Sequence, residues 1–213
     1  MDIQLHHCDH SRSMRVQWLL EEMGLPYELI THQYNPANFA TPEFRKINPM
    51  GKIPALVDNG QPMVESIAIM AYLLGRYGID STLNVSAQDP EYGAFFQWLH
   101  LAEAGMANYA SVYIGHRILQ GHRYQVTEPF LGYCEEQIDK GLSYLTQTLS
   151  DRDHLLTRGF TAADIAIGWT LYMLNTMCNR PLPEGRLQEY LARLQARPAW
   201  QKIAPPWTGP TKN

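Results

Sequence analysis

The sequence predicts two structural classes in one chain, a small α/β domain followed by an all-helical one. Three observations carry this. Apolar residues alternate between a period of two and a period of 3.6 over the first eighty positions. An Asn59-Gly60 pair separates two strand-like runs. Beyond Pro90 the strand signal stops and long helical patterns take over.

Ile3-Gln4-Leu5-His6 starts with strand alternation. Val16, Leu19, Leu20 and Met23 then fall at i, i+3, i+4 and i+7, one apolar helix face, which Gly24 can close. Tyr27 to Thr31 is a second strand, completing a βαβ unit. Ile53 to Val57 and Pro62 to Glu65 are two more strands, joined by Asn59-Gly60 because both turn residues tolerate positive φ. Ile67, Met70, Ala71 and Leu74 restore helical spacing up to Gly78. The order is therefore βαβ followed by ββα.

Polar, aperiodic residues 80–90 read as a linker between a domain at 1–79 and a helical domain at 91–213. In the latter, helices are expected over Tyr92–Leu119, Glu128–Leu149, Ala162–Met177 and Leu187–Gln195, with a short one opened by Pro198. Ala162–Met177 is apolar on nearly every side and should be central. Thr161-Ala162-Ala163-Asp164 has the spacing of a capping box, a device of stability rather than chemistry.

Composition narrows the function classes. Of the 213 residues 45% are hydrophobic and 18% charged, which is globular. Seventeen Lys+Arg against twenty-one Asp+Glu give −4, a poor match to a nucleic-acid backbone. Cys8, Cys134 and Cys178 cannot all pair within one chain, so a reducing, cytoplasmic setting is expected. No run is long and apolar enough to suggest a membrane span, and Met1-Asp2-Ile3-Gln4 does not begin a secretory signal.

Four local patterns then stand together: Ser11-Arg12-Ser13-Met14-Arg15-Val16 leading to Leu25-Pro26-Tyr27; Asn48-Pro49-Met50-Gly51-Lys52-Ile53-Pro54-Ala55-Leu56; Glu65-Ser66-Ile67-Ala68-Ile69; and Gly159-Phe160-Thr161-Ala162-Ala163-Asp164-Ile165. In this order the chain resembles the cytosolic glutathione transferase superfamily, in a bacterial-type, serine-type form. The resemblance implies a thioredoxin-like N-terminal domain, a helical C-terminal domain, a homodimer, and glutathione as co-substrate with no metal.

Such chemistry needs a thiolate, and a free thiol with a pKa of about 8.5 is mostly protonated at neutral pH. A helix N-terminus and a donated hydroxyl both favour the anion. Ser11, four residues before Arg15, has the spacing of the activating serine; Ser13 is the second hydroxyl near the helix start, and either also suits an N-cap. No tyrosine precedes Tyr27, which excludes a tyrosine-type site. By the same resemblance Ile53, before a cis Pro54, offers backbone groups to the cysteinyl part of glutathione. Glu65 and Ser66 would hold the γ-glutamyl end, and Lys52 would lie near the glycyl carboxylate. An apolar electrophile is expected beside Met106, Tyr109, Tyr113 and His116, of which the last three are spaced by four and three along one helix face.

His6-His7-Cys8-Asp9-His10 collects metal-ligand types. Strand alternation sends His6, Cys8 and His10 to one side and His7 and Asp9 to the other, and no second ligand pair accompanies them. Cys8 lies too early to match a cysteine-type nucleophile. A glutathione-dependent isomerase, a disulfide or peroxide reductase and a non-catalytic binding module of the same fold are the competing functions.

Overall fold

The computed structural model describes residues 2–33, 35–118 and 125–209. Contacts divide the chain into one unit of residues 1–84 with 198–205, and another of 85–197 with 206–213.

The first unit is built on a four-stranded sheet: β1 (Ile3–His7), β2 (Glu28–Thr31), β3 (Ala55–Asp58) and β4 (Gln61–Val64), in the order β2-β1-β3-β4. β1 runs parallel to β2, with Leu5 opposite Leu29, and antiparallel to β3, with Leu5 opposite Leu56. The β3–β4 hairpin turns at Asn59-Gly60, where φ is 48° and 81°. Pro62 lies on the outer strand, the one place in a sheet where a missing N–H is cheap.

Four helices complete this part before the second unit begins: α1 (Ser13–Met23), α2 (Pro36–Phe39), α3 (Pro42–Ile47) and α4 (Ser66–Tyr77). α1 carries Val16, Leu19 and Leu20, all without exposed surface, against β1 and α4. Gly24 ends α1 in the left-handed conformation at φ 62°, so its N–H reaches back to Glu21 O. Asp58 closes the far end of β3. Burial raises its pKa, but O–H groups of Tyr72 and Tyr77 donate to it at 2.6 Å each, and the net effect holds the carboxyl below its usual value.

The helical unit contains α5 (Tyr92–His100), α6 (Asn108–Tyr113), α7 (Glu128–Thr148), α8 (Ala162–Tyr172) and α9 (Arg186–Gln195). α5 and α6 belong to one continuous helix whose turns widen to π geometry at Leu101–Ala107 and Ile114–Ile118; a third wide stretch, Met173–Met177, follows α8. Leu119, the expected end of the first long helix, lies outside the described residues, as do 210–213 of the tail. α8 is central: every residue from Ala162 to Tyr172 is buried. The expected fifth helix, α10 (Pro198–Ile203), packs on α1, with Trp200 edge-on to Trp18 at 4.7 Å and Lys202 paired with Glu21 at 2.7 Å. It therefore groups with the first unit, because its apolar side covers α1.

Candidate functional site

The turn from β1 into α1 is tightly bonded. Ser11 N–H donates to Cys8 O at 3.2 Å, and Met14 N–H to Ser11 O at 3.0 Å. His10 adopts φ 58°, a conformation that histidine tolerates better than most side chains. The end of β1 is thereby folded against the first turn of α1. Ser13 Oγ is fully enclosed. It lies 2.8 Å from His7 Nδ1 and 2.7 Å from Ser11 Oγ, accepts Cys8 N–H at 3.2 Å, and faces Cys8 O at 3.2 Å. Ser11 is half-buried, and its Oγ accepts Ser13 N–H at 3.2 Å. Of the two hydroxyls, only Ser11 keeps surface open to a ligand.

The second arm is the loop from α3 into β3. Buried Asn48 holds it from both sides: its amide donates to Lys52 O at 2.6 Å, and its side-chain oxygen accepts Met50 N–H at 3.0 Å. Gly51 has φ 62°, and a Cβ there would fall 2.6 Å from Phe39 O, so this position admits glycine alone. The Ile53–Pro54 peptide is cis. Ladder pairing with β4 begins only at Ala55, so Ile53 sits just ahead of it. Lys52 is exposed.

Glu65 and Ser66 form the third arm, at the join of β4 and α4. Glu65 is exposed and sits at φ 71°, ψ 110°. A positive φ is costly for a glutamate, and such strain persists where a side chain or backbone has to be aimed. Ser66 Oγ is buried and accepts from Nη1 of the fully buried Arg15 at 3.2 Å. One α1 residue thus ties the opening turn of α1 to the opening turn of α4.

Residues 3–75 match the family model described as the glutathione S-transferase N-terminal domain. A glutathione S-transferase-like protein of Beauveria bassiana is 30% identical over 200 residues, covering 89% of this chain and 88% of the relative. The chain belongs to the glutathione S-transferase family. Glutathione S-transferase 3 of Schizosaccharomyces pombe is 27% identical over 211 residues, 92% of this chain and 84% of its own. A Pseudomonas putida glutathione transferase, solved with one glutathione disulfide per subunit, superposes with a TM-score of 0.79 at 28% identity, covering 94% of this chain and 90% of that one. These relatives are fungal as well as bacterial, so they support the superfamily rather than a bacterial branch of it.

In this glutathione transferase, His6 and Cys8 lie on one side and His7 and Asp9 on the other, as alternation requires. His6 stacks on His32 at 5.2 Å, with their ring nitrogens 3.0 Å apart, and Phe44 meets both edge-on. Cys8 shares that side, packed with Phe39, Phe44 and Ile53. His7 and Asp9 share the other, with Nε2 and Oδ1 3.1 Å apart. Burial pushes the Cys8 thiol up to about 11, and Asp9 adds to the shift. A thiol that stays protonated is inert, which argues against a Cys8 redox role.

Burial also lowers His6 and His32, with His32 adding to the shift of His6. The unfolded chain, with histidines near pKa 6.5, then binds more protons than the native one just below that pH. Their contribution to stability is complete above about pH 6.5 and is lost as the pH falls toward the lower native values. Replacing both by phenylalanine should keep the aromatic packing and flatten the fall of Tm as the pH drops below about 6.5; an unchanged acid limb would count against this account.

In the helical unit, Met106 corrects an expectation. It has no exposed surface, and its thioether lies where a Cβ on Gly141 of α7 would fall, so it packs rather than lines a pocket. Tyr109 is half-buried, edge-on to Tyr133 of α7 at 5.8 Å. His116 Nδ1 accepts Val126 N–H at 3.4 Å, and its Nε2 lies 3.7 Å from Glu128. Tyr113 is half-buried. Sequence reasoning gave no role to Asn48, to Arg15, or to His7 as a partner of Ser13. Only the face-sharing of His7 and Asp9 hinted at the last.

Proposed function

We propose that this glutathione transferase is of the serine type: Ser11 Oγ–H donates to the sulfur of bound glutathione, holds it as thiolate, and so promotes attack on an apolar electrophile. The observation that carries the reading is the inequality of the two hydroxyls. Ser13 Oγ is enclosed and surrounded by four polar neighbours, whereas Ser11 Oγ is half-open at the first turn of α1. A thiolate there also meets the positive end of an eleven-residue helix. Ser13 then supports the site from behind rather than touching sulfur.

The rest of the tripeptide follows the motifs. Ile53, ahead of Pro54, would pair through its backbone with the cysteinyl part; Glu65 would face the γ-glutamyl amine and Ser66 its carboxylate; Lys52 would approach the glycyl carboxylate. The electrophile would bind beside Tyr109, Tyr113 and His116 of the helical domain. In this reading residues 1–79 bind glutathione, 80–90 join and 91–213 serve the second substrate, in a cytoplasmic homodimer engaged in detoxification. No helix among the described residues is long and apolar enough to cross a membrane. The test is a pH titration of thiolate absorbance in the glutathione complex. The bound thiol should ionise at least one unit below the free value of about 8.5, and an unshifted titration overturns the reading.

A further inference from the structure

The hydroxyl pair continues inward to an imidazole and a carboxylate, and the polarity of that chain can be worked out. Asp9 Oδ1 can only accept, so His7 Nε2, 3.1 Å away, carries the proton. In the neutral ring Nδ1 is then an acceptor, and Ser13 Oγ–H donates to it at 2.8 Å in preference to Cys8 O at 3.2 Å. With its proton spent, Ser13 Oγ accepts Cys8 N–H at 3.2 Å and the Ser11 hydroxyl at 2.7 Å. The hydroxyl hydrogen bonds therefore run one way, from the open Ser11 through Ser13 to the ring of His7. Ser11 Oγ accepts Ser13 N–H at 3.2 Å and has a second lone pair for the S–H of an arriving thiol.

Resting on the assignment of Ser11 to the sulfur, we propose that Asp9, His7, Ser13 and Ser11 form a proton relay that ionises glutathione on the enzyme. The S–H bond breaks and its electron pair stays on sulfur. The proton passes to Ser11 Oγ as the Ser11 proton passes to Ser13 Oγ and the Ser13 proton to His7 Nδ1. Each hydroxyl loses one proton and gains one; His7 gains one and becomes an imidazolium held by Asp9. The reoriented Ser11 O–H now donates to the thiolate. After the product leaves, the proton returns to solvent by the same path through Ser11, the member that faces outward. His7, Ser13 and Asp9 touch no substrate atom and are positioning residues.

Two further features bear on this role. Burial and His32 lower the His7 pKa against the opposing pull of Asp9, which keeps the resting ring neutral with Nδ1 unprotonated; because the same shift weakens the ring as a base, the imidazolium depends on Asp9 and on the thiolate charge to hold its proton. Asp9, by contrast, is 58% exposed, so the ion pair that forms is open to water on the carboxylate side.

The test compares His7→Asn, Asp9→Asn, Ser11→Ala and the double variant His7→Asn/Ser11→Ala. Asparagine can keep a hydrogen bond to Ser13 but cannot take up a proton. His7→Asn should raise the apparent pKa of bound glutathione by about one unit, a ten-fold loss of thiolate at low pH. Asp9→Asn, at an exposed position, should shift it in the same direction by less, and decides the matter should His7→Asn not fold. Affinity for S-methylglutathione, which has no proton to lose, should stay as in wild type. The double variant should be no worse than Ser11→Ala, because the chain acts as a unit. If Ser11→Ala raises the thiol pKa while His7→Asn and Asp9→Asn do not, the relay is wrong and the serine assignment stands. If Ser11→Ala has no effect, both fail. Equal weakening of S-methylglutathione binding by His7→Asn marks a merely structural role and overturns the relay.

Discussion

Ser11→Ala should raise the pKa of bound glutathione by about 1–2 units and slow conjugation with a model aryl halide by about 10- to 100-fold near neutral pH. The magnitude follows from one interaction. A hydrogen bond to a charged group is worth about 1.5–3 kcal/mol, and 1.36 kcal/mol of preference for the anion is one pKa unit. Two adjacent side chains are committed elsewhere. The Ser13 hydroxyl is enclosed and committed to the strand end, and Cys8 is buried with its thiol donating to His32 O at 3.1 Å. The loss should fall on reactivity more than on affinity, because in the proposed reading Glu65, Ser66 and Lys52 hold the tripeptide's charged ends. Stopped-flow titration of thiolate absorbance gives the pKa; kcat against pH gives the rate. A variant in which KM rises and kcat is untouched would show that Ser11 only anchors the ligand.

Asp164→Asn should cost the helical unit about 3–5 kcal/mol and lower Tm by about 10 °C or more. Asp164 has no exposed surface, yet four donors converge on its carboxylate: Leu155 N–H at 3.0 Å and the Tyr190 hydroxyl at 2.8 Å on one oxygen, Thr161 N–H at 2.8 Å and the Thr161 hydroxyl at 3.2 Å on the other. An asparagine keeps one accepting oxygen and turns an amide N–H₂ toward the remaining donors. Two buried donors are left unpaired, each at about 1–3 kcal/mol. The capping spacing alone suggests a loss near 1 kcal/mol; the larger figure comes from Leu155 and Tyr190, which the spacing does not reveal. Asp153→Asn, at a site 62% exposed, should change stability by no more than about 0.5 kcal/mol and serves as the control. Thermal melts of the two variants side by side make the comparison.

The unequal legibility of these residues has a physical basis. Thr161 and Asp164 are three positions apart at a helix start, so their bond is a matter of helical geometry and can be read from spacing. Asn59-Gly60 and Gly24 are equally local, since each needs only a backbone dihedral that its own residue permits. Leu5, Leu19 and Leu56 announce their burial by period, because a half-buried strand and a one-sided helix must repeat at two and 3.6. Local rules of this kind determined the βαβ-ββα order, the helical second half and the four motifs that place the chain among the glutathione transferases.

The tertiary structure decided the rest. Spacing from Arg15 favours Ser11 over Ser13 by resemblance alone; the path of the turn from Cys8 to Arg12 is what encloses one hydroxyl and leaves the other half-open. His7 meets Ser13 because a strand end and a helix start are folded face to face. Arg15 reaches Ser66, fifty-one residues away, for the same reason. α10 was legible as a helix but not as a cover for α1, since its period names an apolar side without naming a partner. Met106 belongs to the core because Gly141 leaves room for it. Periodicity reports which side of an element avoids water; it does not say which other side it meets, and the chemistry of this protein lies in those meetings.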